Sequence, residues 1–174
     1  LMKHLSECGE VVYSKWYQGR ASFFSKELFT AMLCLVRASF VTAQDPKNDS
    51  ELALDFTADL SFQAKEIFEV LESDSPLSTK EIKKLTDLRG KDNEAAYGRA
   101  LKSLFNRLLI VAYGEVDDGA FPSLAVGSTQ LLFENLWLTA KDMKPAKAQK
   151  ILNHFMPMGS LVRKFFDKQM STNR

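Results

Sequence analysis

The stretch that decides the fold is residues 92–126, DNEAAYGRALKSLFNRLLIVAYGEVDDGAFPSLAV. Its first half places Tyr97, Leu101, Leu104, Phe105 and Leu108 at offsets of three and four, an apolar stripe on an α-helix over 93–107. Arg99, Lys102, Ser103 and Asn106 fall on the opposite side. The period then changes. Residues 108–113 are apolar and β-branched, a buried-strand composition. Residues 114–119 carry turn chemistry, and 121–126 can return as the paired strand. A helix with a polar, basic face, followed at once by a hairpin, is the local expectation.

The preceding segments supply what such a unit needs. Asp59 is a candidate N-cap for a helix to about Ser73. Leu60, Ala64, Ile67, Phe68 and Leu71 form its core stripe, and Glu66, Glu69 and Glu72 its acidic side. Asp74-Ser75-Pro76 stops it. Ser78 and Glu81 fit a capping box that opens a short helix. On that helix Ile82 and Leu85 point inward, while Lys80, Lys83 and Lys84 point out. Gly90 ends it. Helix, short helix, turn, basic-faced helix and hairpin together are the layout of a winged helix-turn-helix.

Working outward, residues 1–8 suggest a short helix. Residues 10–17 contain strand formers, and Gln18-Gly19-Arg20 is a turn. Residues 21–24 either pair back or lead into the next helix. Trp16, Tyr17, Arg20, Phe23 and Phe24 form an aromatic patch. Such a patch either stacks on bases or closes a small core, and core is the favoured reading. Ser25 caps a helix to about Phe40 that is apolar nearly all round, which predicts deep burial. A polar loop at 44–50 follows. Beyond the hairpin, residues 129–137 read as a helix with Leu131, Leu132, Phe133, Leu136 and Trp137 inward. Pro145 suits the first turn of a helix reaching Phe155. Pro157-Met158-Gly159 breaks it, and a last helix over 160–170 carries Leu161, Val162, Phe165 and Phe166 on one face. The predicted fold is mainly α, of α+β type. It has an N-terminal arm with a buried helix (1–50), a winged-helix core with a small β-hairpin wing (51–127), and a C-terminal helical extension packed on the core (128–174).

Composition narrows the function. The chain of 174 residues is 45% hydrophobic and 26% charged, values of a folded, soluble protein. Net charge is only +1, but its distribution is uneven. Residues 51–75 hold seven acids and one base, residues 78–107 eight bases and four acids, and residues 141–174 eight bases and two acids. Such asymmetry creates local potential that steers partners, although solvated helix faces explain it equally. Cys8 and Cys34 define neither a metal spacing nor a disulfide framework and suit a reducing cytoplasm. No apolar run approaches the ~20 residues that span a bilayer, so no membrane partner is expected. The chain begins at Leu1 rather than methionine, which leaves the native start open.

No catalytic constellation is visible: there is no HExxH, serine elbow or Gly-rich phosphate loop. His154 reads as structural or C-capping, and the glutamates at 66, 69 and 72 as a solvated face rather than a metal site. No cofactor is expected. The residues that fit a function are those of nucleic-acid contact. Arg99 and Lys102 sit one turn apart, with Ser103 and Asn106 beside them, and Arg and Asn read guanine and adenine by paired hydrogen bonds. Lys80, Lys83, Lys84 and Lys91 suit the phosphate backbone. Six phosphate contacts give a log-log salt slope near about −5. Glu115, Asp117 and Asp118 put acids in the wing, where phosphate repels them. Lys141, Lys144, Lys147 and Lys150 offer a second nucleic-acid contact, an arm for a partner, or plain solubility.

Residues 101–111, LKSLFNRLLIV, are similar to the recognition-helix-to-wing join of winged-helix proteins. Residues 118–127, DGAFPSLAVG, followed by LLFENLW at 131–137, resemble bacterial proteins related to the AlkZ/YcaQ DNA glycosylases. The stretch Lys15-Trp16-Tyr17 with Gly19-Arg20 extends the likeness. The resemblance implies the fold and DNA contact. The glycosylases of that group excise alkylated or crosslinked bases, use a Gln-apolar-Gln or Gln-apolar-Asp motif, and contain several tandem winged helices. Here Gln18, Gln44, Gln63, Gln130, Gln149 and Gln169 all lack the required residue two positions on. The chain also has room for one obvious copy. No catalytic residue is carried over. The expected function is non-catalytic binding of duplex DNA. The alternatives are a protein-interaction module on the same scaffold, or a repair-related protein without the usual catalytic motif.

Overall fold

The computed structural model describes residues 11–41, 57, 59–116 and 123–172. The expectations for residues 1–8, for the loop at 44–50 and for Asp117 and Asp118 lie outside them. In chain order the elements are β1 (Val11–Ser14), β2 (Ser22–Ser25), α1 (Lys26–Val41), α2 (Phe62–Ser73), β3 (Leu77–Ser78), α3 (Thr79–Leu85), a 3-10 turn (Lys91–Asn93), α4 (Glu94–Asn106), β4 (Ile110–Val116), β5 (Ser123–Ser128), α5 (Thr129–Leu132), α6 (Glu134–Asp142), α7 (Pro145–Phe155) and α8 (Leu161–Thr172). The architecture is mainly helical with one small antiparallel sheet, as the periodicities predict. Two compact units emerge, one drawn from residues 1–26 and 60–134, the other from 27–59 and 135–174.

The first unit is built on a sheet of strand order β2-β1-β4-β5-β3. Residues 21–24 do pair back: Val11 lies opposite Ser25 and Ser14 opposite Ser22. The connecting turn passes through Gln18 and Gly19, both left-handed (φ 54° and 73°). Trp16 is fully buried with Phe24 edge-on at 5.9 Å, the core reading of the aromatic patch. Tyr13 stacks on Phe23 at 5.0 Å. Tyr13 also pairs with Ala112, which joins this hairpin to the one formed by β4 and β5.

Several local expectations are corrected. Ser61, not Asp59, caps α2, accepting from the Ala64 amide at 3.3 Å. The core stripe Leu60, Ala64, Ile67, Phe68 and Leu71 is buried as expected. The capping box of α3 is present: the Ser78 amide donates to Glu81 Oε2 at 2.8 Å and the Glu81 amide to Ser78 Oγ at 3.2 Å. Leu85, however, is exposed. The helix ends there, the chain turns through Asp87 at φ 52°, and Leu88 takes the inward place. Leu108 is fully buried, but it lies past the end of α4 rather than on its stripe. Its amide donates to Phe105 O at 3.0 Å and the Leu109 amide to Leu104 O at 3.1 Å, a Schellman stop with Leu108 in the left-handed region (φ 58°). A leucine there costs on the order of 1 kcal/mol of backbone strain, which its burial offsets. Thr129 locks the join, donating its amide to Leu109 O at 2.9 Å and its hydroxyl to Leu108 O at 2.7 Å. Strand β4 also runs through Gly114 to Val116, further than the turn residues suggest, with the register shift between Ala112 and Glu115 absorbing Gly114. A side chain at Gly127 would run into Leu132 and Ser75.

In the second unit α1 is deeply buried through Leu28, Phe29, Met32, Leu33 and Val36, as its all-round apolarity predicts. The helix expected over 129–137 is two helices broken at Phe133, of which α5 belongs to the first unit and α6, from residue 135 on, to the second. Leu131 is exposed rather than inward, and Trp137 is half-buried with the Arg37 guanidinium 4.9 Å from its ring. α7 and the break after it fall where Pro145 and Pro157-Met158-Gly159 place them. On α8, Phe166 is buried but Leu161 is 75% exposed, and the inward position belongs to Arg163.

Candidate nucleic-acid interface

Helix α4 buries Tyr97, Ala100, Leu104 and Phe105, which turns Arg99 and Lys102 to solvent one turn apart. Of the other two residues expected beside them, Ser103 and Asn106 are half-buried. The Ser103 hydroxyl donates to Ala100 O at 2.8 Å, so its hydrogen is committed to its own helix. Lys80 and Lys84 on α3 and Lys91 in the 3-10 turn are exposed. Lys83 is the departure from the expected set. Its side chain is only 17% exposed, pairs with the Glu94 carboxylate, and lies 4.8 Å from the centre of the Tyr97 ring. It fastens α3 to α4 instead of facing a ligand. Burial pushes the Tyr97 phenol up to about 12, with the Thr79 side chain opposing the shift and Glu94 adding to it.

The second unit has its own cation fixed inward. Arg163 is 6% exposed and donates through Nε to Asp167 Oδ1 at 2.8 Å and through Nη1 to Asn153 Oδ1 at 2.7 Å. Gln149 donates to the same Asn153 oxygen at 3.0 Å. This ties the first turn of α8 to the last turn of α7. Lys141, Lys144, Lys147 and Lys150 are all exposed. Sequence reasoning missed the clamp. The i,i+4 spacing of Arg163 and Asp167 was its only local signal, and Asn153 lies ten residues away.

Other candidates resolve into packing. His154 is exposed and meets the Phe155 ring edge-on at 5.0 Å. Cys34 is buried and donates to Met143 O at 3.1 Å; burial raises its thiol pKa, which Arg37 partly opposes. Desolvation and the neighbouring Glu69 lift the Glu72 carboxyl. Among the described residues no cluster of three His, Cys, Asp or Glu side chains could hold a metal ion. A cavity of about 440 Å³ in the second unit is lined by Leu35, Ser39, Gln149, Phe166, Asp167 and Met170; its one charge, Asp167, is already held by Arg163. No helix among the described residues is long and apolar enough to cross a membrane.

No curated protein and no solved structure matches the chain. A family model described as AlkZ related matches residues 3–169, nearly the whole length, and the chain belongs to that family.

Proposed function

We propose that this protein binds duplex DNA without catalysing a reaction, and that residues 60–128 act as a winged helix-turn-helix whose reading element is α4. The observation that carries the reading is the pair Arg99 and Lys102, exposed on one side of a helix whose other side is buried and whose end passes directly into a β-hairpin. Membership of an AlkZ-related family supports a link to DNA and its repair. The pairing of β3 with β5, beside β4, gives the compact helical-plus-ribbon unit the reading needs. Arg99 and Lys102 enter the groove, Ser103 and Asn106 flank them, and Lys80, Lys84 and Lys91 meet phosphate. Lys83 holds α4 in place and does not touch the duplex.

Anisotropy of a fluorescent random-sequence duplex across a salt series tests this. The three phosphate-facing lysines and the two groove cations together bring five positive charges to the duplex, which predicts a log-log slope of about −4 to −5. Arg99→Ala/Lys102→Ala should flatten it by about two and weaken binding at every sequence. A double variant that binds like the parent would remove α4 as the reading element, and a parent without salt-dependent duplex binding would move the function to the alternative, a protein-interaction module, for which the exposed Phe62 and Leu85 of the same unit are the supporting observation. Release of bases from alkylated DNA by the pure protein would overturn the non-catalytic part.

A further inference from the structure

We infer that the turn joining α7 to α8 is a second nucleic-acid contact, separate from α4, which engages DNA where bases are unpaired or unstacked. The tip carries Phe155, Met158 and Leu161, which are 42%, 73% and 75% exposed. The last two are the most exposed large apolar side chains among the described residues. A chain gains by hiding such groups, so a small cluster left in water marks a contact surface.

The surroundings name the partner. Lys147, Lys150 and His154 lie at i, i+3 and i+7 on the outer face of α7, all exposed. Leu161, Lys164 and Lys168 repeat that spacing on α8, again all exposed. Asp167 is the one acid in residues 143–174, and Arg163 occupies it. An apolar tip between two lysine stripes fits a polyanion that also offers flat apolar faces. At about 1.5 Å per residue the stripes run roughly 10 Å back from the tip, far enough to follow successive phosphates. A lipid surface fits less well, because a helix lying in a membrane buries a long apolar face. Here the apolar faces of α7 and α8 are spent on Ala148, Leu152 and Phe166 inside the unit. In an intact duplex the bases are stacked and offer the tip no opening. Unpaired bases expose ring faces to the Phe155 ring and gaps to the Met158 and Leu161 side chains. The Asn153–Arg163–Asp167 clamp holds the two helix ends together, so the tip is presented without an ordering cost on binding.

The test uses the full chain and two fluorescent duplexes that differ only by a two-nucleotide bulge. The parent protein should bind the bulged duplex about tenfold more tightly than the intact one. Phe155→Ser/Met158→Ser/Leu161→Ser should lose that preference while keeping intact-duplex affinity within about twofold. Lys147→Gln/Lys150→Gln/Lys164→Gln/Lys168→Gln should weaken binding of the bulged duplex more than of the intact one and flatten the salt slope of bulged-duplex binding by about three to four. All seven positions are exposed, and far-UV circular dichroism checks that the fold survives. In an Arg99→Ala/Lys102→Ala background the bulge preference should persist, which separates failure of this contact from failure of the α4 reading. The inference is overturned by equal affinities in the parent, by a preference that survives the serine variant or vanishes in the α4 background, or by parent binding to phosphatidylserine vesicles that the serine variant abolishes.

Discussion

Two helical hairpins, α3–α4 in the first unit and α7–α8 in the second, are fastened by the same device and turned to different ends. In each, one cation is drawn inward to join the helices. Lys83 reaches the Glu94 carboxylate and the Tyr97 ring, while Arg163 spans Asn153 and Asp167. In each, the other lysines stay on the outer faces. The choice of cation follows the acceptors. A guanidinium fork serves two oxygens in different directions, whereas an ammonium on a flexible stem suits one carboxylate and one ring face. The connections differ more. Between α3 and α4 the chain exposes Asp87, Arg89, Gly90, Lys91 and Asp92 and hides Thr86 and Leu88. Between α7 and α8 it buries Met156 and exposes Met158, with Phe155 and Leu161 exposed at the flanking helix ends. The first hairpin presents a polar helix face; the second presents an apolar tip.

The comparison predicts unequal clamps. Arg163→Met removes two charge-assisted hydrogen bonds from a buried guanidinium, and should cost about 3 kcal/mol in urea denaturation. If it costs no more than Lys83→Met, the idea of a stronger second clamp fails. Next in size is an alkaline step confined to the first unit. The folded Tyr97 phenol sits at about 12 against 10.0 for the free group, so the fold holds the proton more tightly. Its contribution is complete below pH 10 and disappears as pH rises toward about 12, a loss of about 2–3 kcal/mol. Urea midpoints at several pH values in that window should show the step in the parent and not in Tyr97→Phe. Lys83→Met should then cost about 1 kcal/mol, the worth of a partly buried pair and a cation–π contact, and leave the salt slope of DNA binding unchanged. The smallest stability effect belongs to its neighbour. Lys84→Met should shift stability by less than about 0.5 kcal/mol yet flatten the slope by about one. Identical behaviour of the two lysines would erase the distinction between clamp and contact.

How far these features were legible depends on the range of the interactions behind them. The Ser78–Glu81 capping box, the stripe of α2, the start of α7 at Pro145 and the outward pair Arg99 and Lys102 were all readable, because each rests on residues within one or two helical turns. Misreadings arose where local pattern left two outcomes nearly equal. Asp59 and Ser61 are both good caps, and only the path of the chain into α2 chooses between them. Leu85 and Leu88 compete for one inward place, and the left-handed turn at Asp87 gives it to Leu88. Leu108 continues the helical stripe in sequence but belongs to the Schellman stop in space.

By itself the amino-acid order determined the helical periods, the β-ribbon after α4, the breaks at Pro76 and Pro157, and the uneven spread of charge. Tertiary structure alone decided that β1 and β4 share a sheet through Tyr13 and Ala112, that Lys83 and Arg163 turn inward while their neighbours Lys84 and Lys164 face out, and that Met158 and Leu161 stay in water. The reason is one of distance along the chain. A helical face or a cap is set by neighbours a few residues away, whereas the fate of a charged or apolar side chain at a helix end depends on which distant acceptor or surface the fold brings beside it.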